Sequence, residues 1–238
     1  MKRMVGQFAA GALALGGVTA AMAGITTFEN GTEGWSNAGR KTIQQTGNPG
    51  GAIDEPLIDV FGADIRTDPN NAMVPDDFTN KGPVRFTVDI DVRSIQFFGL
   101  EVERDLVVEL RDNTPSSQGA PWVSVWYKLG TLSADRPGWR TYAVDILNPN
   151  SAALPAGWGG TGAENPVTFE PELPADRTFA DVLASVDEIH FTTFVPGFFY
   201  GFTNFDMAVD NVGWTAVPEP GTALLAGLGL LMALRRRS

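Results

Sequence analysis

The sequence predicts an all-β fold, two sheets packed face to face with one short helix, and an apolar helix at either end of the chain. Three observations carry this. Residues Val84 to Val92 alternate strictly, with apolar side chains at even positions and polar ones at odd positions. Such period-two alternation gives a strand with one dry and one wet face. Short apolar runs recur along the middle of the chain, separated by Gly, Pro, Asn and Asp clusters. Many short strands at that spacing favour a two-sheet sandwich.

The elements follow in order. After Val84–Val92, strands are expected at Ile95–Leu100, Asp105–Leu110, Trp122–Leu129, Trp139–Ile146, Glu188–Phe194 and Met207–Trp214. Turn chemistry divides them at Asn80-Lys81-Gly82-Pro83, Asp112-Asn113-Thr114-Pro115 and Asp135-Arg136-Pro137-Gly138. The helix is expected at Phe179–Ser185, where Phe179, Val182 and Leu183 fall on one face. Two segments break the strand rhythm and are expected as long loops, Thr46–Asp77 and the Pro-rich Leu147–Arg177.

The ends differ in kind from the middle. Lys2 and Arg3 precede an apolar stretch from Phe8 to Val18, and Ala21-Met22-Ala23 has the small-x-small pattern of a signal-peptidase site. Residues 1–23 are therefore expected to form a signal helix removed on export, leaving Gly24 as the first mature residue. Residues 217–238 read VPEPGTALLAGLGLLMALRRRS: a Pro-Glu-Pro turn, an apolar run and an arginine cluster. Basic residues after an apolar segment stay on the cytoplasmic, anionic side of a membrane. The run from Gly221 to Leu234 falls short of the roughly 20 residues that span a bilayer, which suits a transient anchor.

This tail resembles the PEP-CTERM sorting signal of Gram-negative bacteria. The resemblance implies that an exosortase, a membrane protease-transpeptidase, reads Pro218, Glu219 and Pro220, with Arg235, Arg236 and Arg237 completing the signal. It implies a protein held at the inner membrane by its tail, then delivered to the cell surface or extracellular matrix.

Between the ends, residues 24–216 are expected to form one domain. The chain has 17 basic and 28 acidic residues, and without the leader and tail the balance is 12 to 27, a net charge of −15. Such a surface repels nucleic acid and anionic lipid and suits neutral polymers or divalent cations. There is no cysteine, so the domain is held by its core and not by disulfides.

The start of this domain, Phe28-Glu29-Asn30-Gly31-Thr32-Glu33-Gly34-Trp35, and its end, Ala208-Val209-Asp210-Asn211-Val212, resemble the ends of galactose-binding-like and laminin-B-like jelly-roll domains. That group includes many carbohydrate-binding modules. The resemblance implies a jelly-roll β-sandwich and a structural calcium held by Glu29, Asp210 and backbone carbonyls, with Asp206 and Asn211 as weaker candidates. A surface charge of this sign concentrates the oxygen ligands that calcium takes. Glu29 and Asp210 equally fit solvated sheet-edge or turn-capping roles.

Sugar binding needs exposed aromatic faces with a few polar groups beside them. Trp158, among glycines in the second long loop, and Phe198, Phe199 and Tyr200, after Pro196-Gly197, are the expected stacking residues. Exopolysaccharide is the expected partner, and a purely structural matrix protein is the nearest alternative. Catalysis is not expected. The single histidine, His190, lies in an apolar strand, and there is no Gly-x-Ser-x-Gly elbow, His pair or thiol. The acidic pairs Asp76-Asp77, Glu101/Glu103 and Asp187-Glu188 leave a glycoside hydrolase or lyase as a remote alternative.

Overall fold

The computed structural model describes residues 24–37, 43–69, 71–75 and 77–217. The expected signal helix and the expected C-terminal helix, including Pro218, Glu219, Pro220 and Arg235 to Arg237, lie outside the described residues. Between them the chain is nearly all β. The strands are β1 (Gly24–Thr26), β2 (Trp35–Asn37), β3 (Ile43–Gly47), β4 (Gly50–Val60), β5 (Asp64–Thr67) and β6 (Val84–Phe97). There follow β7 (Leu100–Glu101), β8 (Arg104–Asp112), β9 (Val123–Leu132), β10 (Arg140–Ile146), β11 (Trp158–Thr161), β12 (Ala163–Glu164) and β13 (Pro171–Glu172). Helix α1 (Phe179–Leu183), β14 (Glu188–Thr192) and β15 (Thr203–Ala216) complete the fold.

One sheet has the order β10-β6-β15-β4-β3, with β1 added to β15 and β7 to β6. The other has the order β11-β9-β8-β14-β5-β2, and β12–β13 form a separate hairpin. The chain crosses between sheets at β1–β2, β2–β3, β4–β5, β5–β6, β7–β8, β9–β10, β10–β11 and β14–β15, which winds it as a jelly-roll sandwich. The inner faces close on a core in which Phe78 packs between Phe86 and Trp214, with ring centroids 5.3 and 5.2 Å away.

The expected alternation of β6 holds, with Val84, Phe86, Val88, Ile90 and Val92 all inward. A bulge opposite Asp206/Met207 then shifts the parity, so that Ile95 is the next core residue. The expected strand Ile95–Leu100 is instead the end of β6, a turn and β7. Phe98 and Gly99 both take positive φ, 49° and 77°, which closes a two-residue hairpin. Helix α1 is two residues shorter than expected. Thr178 Oγ1 accepts from the Asp181 N–H and Asp181 Oδ2 accepts from the Thr178 N–H, while Phe179, Val182 and Leu183 are buried.

Both expected long loops are corrected. Thr46–Asp77 contains the end of β3, all of β4 and β5. Pro56 and the paired glycines Gly50-Gly51 mask the alternation of β4, yet β4 pairs with β15 along most of its length. Leu147–Arg177 contains β11, which pairs with β9, and the β12–β13 hairpin.

Candidate functional site

The loop from β14 to β15 carries the expected stacking residues to one pole of the sandwich. Phe198 and Phe199 are 62% and 75% exposed, and Tyr200 is half-buried. The structure joins them to rings the sequence reading missed. Phe61, from the β4–β5 loop, stacks on Phe202 with centroids 4.3 Å apart and lies 5.2 Å from Phe199. Phe198 leans on Tyr200 at 4.8 Å, and Tyr200 covers the Arg104 guanidinium at 4.6 Å. Arg104 also lies under Phe97, and its Nη2 donates to Thr203 Oγ1. Burial draws the Arg104 pKa below its ordinary value, and the nearby Tyr200 acts in the opposite sense. This pole therefore presents adjoining aromatic rings braced by one sequestered cation. Phe61 and Phe202 were legible only as isolated loop phenylalanines, because their partner lies more than a hundred residues away.

Trp158 is not part of this platform, which corrects its expected role as a free stacking residue. It heads β11 and is only 8% exposed, with its ring 5.2 Å from Phe179 and 5.5 Å from Tyr127. Positive φ at Gly157 and the pairing with β9 turn the indole inward, against the core. What remains at its edge is a crevice of about 290 Å³ that it shares with Tyr127, Ile146, Asn148 and Pro155.

Glu29 and Asp210 do come together. The Asp210 side chain is fully buried, and its two oxygens accept from the Asn48 and Asn211 N–H groups. Asp89 lies in the same cluster, accepting from both the Asn48 and Asn211 side-chain amides. Gly47, Gly50 and Gly51 leave room for it. An added Cβ would strike Asp210 Oδ2 at Gly47, Glu29 Oε1 at Gly50 and the Phe28 carbonyl oxygen at Gly51. Burial raises the Asp210 pKa, and the charges of Asp89 and Glu29 raise it further, against the two backbone donors. Oxygen donors and clustered negative charge suit a hard cation. Among the described residues, however, no three His, Cys, Asp or Glu side chains are grouped to hold a metal by themselves, so carbonyl oxygens are required. Of the weaker candidates, Asn211 belongs to the cluster, donating to the Asn48 carbonyl, whereas Asp206 is paired with Arg93 on the exposed sheet face.

The outer face of the second sheet holds the histidine. The register aligns Gly159, Trp126, Glu109, His190, Arg66 and Ser36 across six strands. His190 is 1% exposed, with Nδ1 2.9 Å from Asp64 Oδ1 and Nε2 3.0 Å from Glu188 Oε2. Burial lowers its pKa, but the two carboxylate hydrogen bonds outweigh that and leave it raised. The hydrogen bond from His190 holds Glu188 below the usual carboxylate range. Arg111 pairs with Glu109 and stacks under Trp122 at 4.2 Å. These charges satisfy one another.

The pole opposite the aromatic rings carries Gly24 and Val217, the first and last described residues. Gly24 pairs with Trp214, and the Val217 N–H bonds to the Pro83 carbonyl 2.8 Å away. Among the described residues no helix is long and apolar enough to cross a membrane.

Fold and surface define a jelly-roll β-sandwich module with an aromatic pole facing away from Gly24 and Val217. Residues 216–237 match the family model of the PEP-CTERM protein-sorting motif, so the chain carries that motif from the last residue of β15 onward in sequence. The motif implies an exported protein processed by an exosortase. No curated protein matches the sequence. Among solved structures, an exo-β-agarase is similar over 83% of this chain and 26% of its own, at 11% identity and a TM-score of 0.46. A second agarase is similar over 83% and 26%, at 14% identity and a TM-score of 0.43. An endo-1,4-β-D-xylanase of Clostridium thermocellum, with its carbohydrate-binding and catalytic modules and bound xylohexaose, is similar over 80% and 28%, at 11% and 0.39. The chain spans about a quarter of the length of each.

Proposed function

We propose that this is a cell-surface or extracellular-matrix protein whose aromatic pole binds neutral exopolysaccharide. The observation that carries the reading is the run of exposed rings at Phe61, Phe199 and Phe202, continued by Phe198 and Tyr200. Sugar rings stack on such faces, and contiguous apolar surface on a soluble domain marks an interaction site. Arg104, the cation beneath, is buried, and the domain around it is strongly acidic, so a neutral glycan is favoured over an acidic one. The proposed role is binding: the rings face solvent, and the acid Glu188 is committed to His190.

The test is affinity electrophoresis of residues 24–217 through gels of neutral and of acidic polysaccharide. Retardation by neutral polymer that is lost in Phe61→Ala/Phe199→Ala supports the proposal. Unchanged mobility of the folded domain across the panel favours a purely structural matrix protein.

A structural calcium is part of the same proposal. Glu29, Asp210 and the Phe28 carbonyl would hold it, and its chemistry there would be charge neutralisation around the Gly47–Gly51 turn.

A further inference from the structure

The aromatic surface does not stop at the β14–β15 loop. The β6–β7 hairpin abuts that loop closely enough that a Cβ added at Gly201 would meet the Phe97 ring at 2.4 Å. The Arg104 guanidinium lies between the two segments, against Tyr200 on one side and Phe97 on the other. Beyond Phe97 stands Phe98, its ring edge-on to that of Phe97 with centroids 4.5 Å apart. Phe98 is 90% exposed, and Leu100, which pairs with Phe97 across the hairpin, is exposed as well.

Phe98 suits neither its backbone nor the core. A two-residue hairpin with positive φ at both central positions is the preferred setting of Asn-Gly or Asp-Gly, and a bulky ring at φ 49° is disfavoured there. Its exposure means that the fold gains little in return. The hairpin is nonetheless firmly built, because Glu101 accepts from the Gln96 and Ser94 side chains and from the Ile95 N–H. A disfavoured backbone held rigid so as to keep an apolar ring in solvent serves a partner and not the fold.

We propose that Phe97 and Phe98 form a second wing of the glycan site, and that the site takes an internal stretch of several sugar residues, not a chain end or a single sugar. The inference rests on the glycan reading of the aromatic pole. One wing is built on Phe61 and Phe199, the other on Phe97 and Phe98, and Tyr200 over Arg104 joins them. Each exposed ring offers a sugar one face, so binding strength accumulates along a polymer that lies across both wings. At the join, the buried Arg104 Nε has no acceptor among the described residues, which favours an oxygen-bearing occupant over hydrocarbon.

The test compares the full-length chain and its variants for binding to soluble β-glucan, xylan and galactan and to trisaccharides cut from each. Phe98→Asn gives the turn a residue it prefers, so its urea midpoint should equal or exceed that of the parent. It should nonetheless bind the polymer that retains the parent about tenfold more weakly, with a smaller loss on the trisaccharide. Equal polymer binding by parent and Phe98→Asn overturns the proposal, as does an equal loss on polymer and trisaccharide. A fall in the urea midpoint that matches the binding loss assigns the ring to the fold, and Phe98-dependent binding to phosphatidylcholine vesicles in place of polysaccharide assigns it to a lipid surface; either result overturns the proposal. Failure of the parent to bind any of the polymers sinks the glycan reading and this inference with it. Retention lost in Phe61→Ala/Phe199→Ala but intact in Phe98→Asn removes the second wing alone.

Discussion

Trp158 stands edge-on to Phe179, with ring planes at 74° and centroids 5.2 Å apart, and this contact pins the long segment after β10 to helix α1. The indole that sequence reasoning assigned to sugar stacking is thus a core residue. Trp158→Ala should cost about 3–5 kcal/mol of stability, as truncation of buried aromatics generally does. Urea unfolding measures the loss. Retention by polysaccharide should be unchanged in the fraction that remains folded.

The aromatic pole should behave in the opposite way. Phe199 is 75% exposed and rests on Phe61 from another loop. Phe199→Ala should leave the urea midpoint within experimental error yet weaken binding to neutral polysaccharide about tenfold, a change of ~1.4 kcal/mol. A matched loss of stability and binding would mean that the ring serves the fold.

The pH dependence of stability follows from His190 and its carboxylates. Its folded pKa lies above the ordinary histidine value of 6.5, so its contribution is complete below that pH and is lost as pH rises through the folded value. Glu188 has a folded pKa below the ordinary glutamate value of 4.5, so its contribution is present above that pH and is lost as pH falls through the lowered value. The pair therefore stabilises most between about pH 4.5 and 6.5. Arg111 and Arg66 also face this cluster, in ion pairs with Glu188 and Asp64. Denaturation of His190→Gln between pH 4 and 9 should show a flatter profile above pH 6 than the parent.

Calcium should raise the melting temperature in a concentration-dependent way, and chelator should reverse the shift. Ligand at one hundred times its Kd contributes about 2.7 kcal/mol. Asp210→Asn should abolish the calcium response. Gly50→Ala should blunt it, because Gly50 has φ of 91° and an added Cβ would collide with Glu29 Oε1. A melting temperature indifferent to calcium in the parent would reduce Glu29 and Asp210 to turn-capping roles.

What the sequence disclosed depended on whether the information was local. The alternation of Val84–Val92 and the shared face of Phe179, Val182 and Leu183 are written in neighbouring residues, and both elements formed where expected. Glu29 and Asp210 were brought together by a resemblance at the two ends of the domain, and the Gly47–Gly51 turn that receives them was read as loop. The pairing of Phe61 with Phe199 and Phe202 is a product of topology, since the two loops converge only after the strands have crossed between sheets. Trp158 was misplaced because the glycines beside it look like loop, when they serve close packing. A side chain at Gly159 would strike the Trp126 ring, and one at Gly160 would strike Leu173.

The pairing of Gly24 with Trp214 has a consequence for engineering. A fold whose two ends leave side by side needs only one point of attachment, so it can be spliced into a surface loop of an unrelated host without parting the host's chain. In such a chimera the phenylalanine loops would project outward like the tip of a plug, turning any tolerant scaffold into a display stand for that surface.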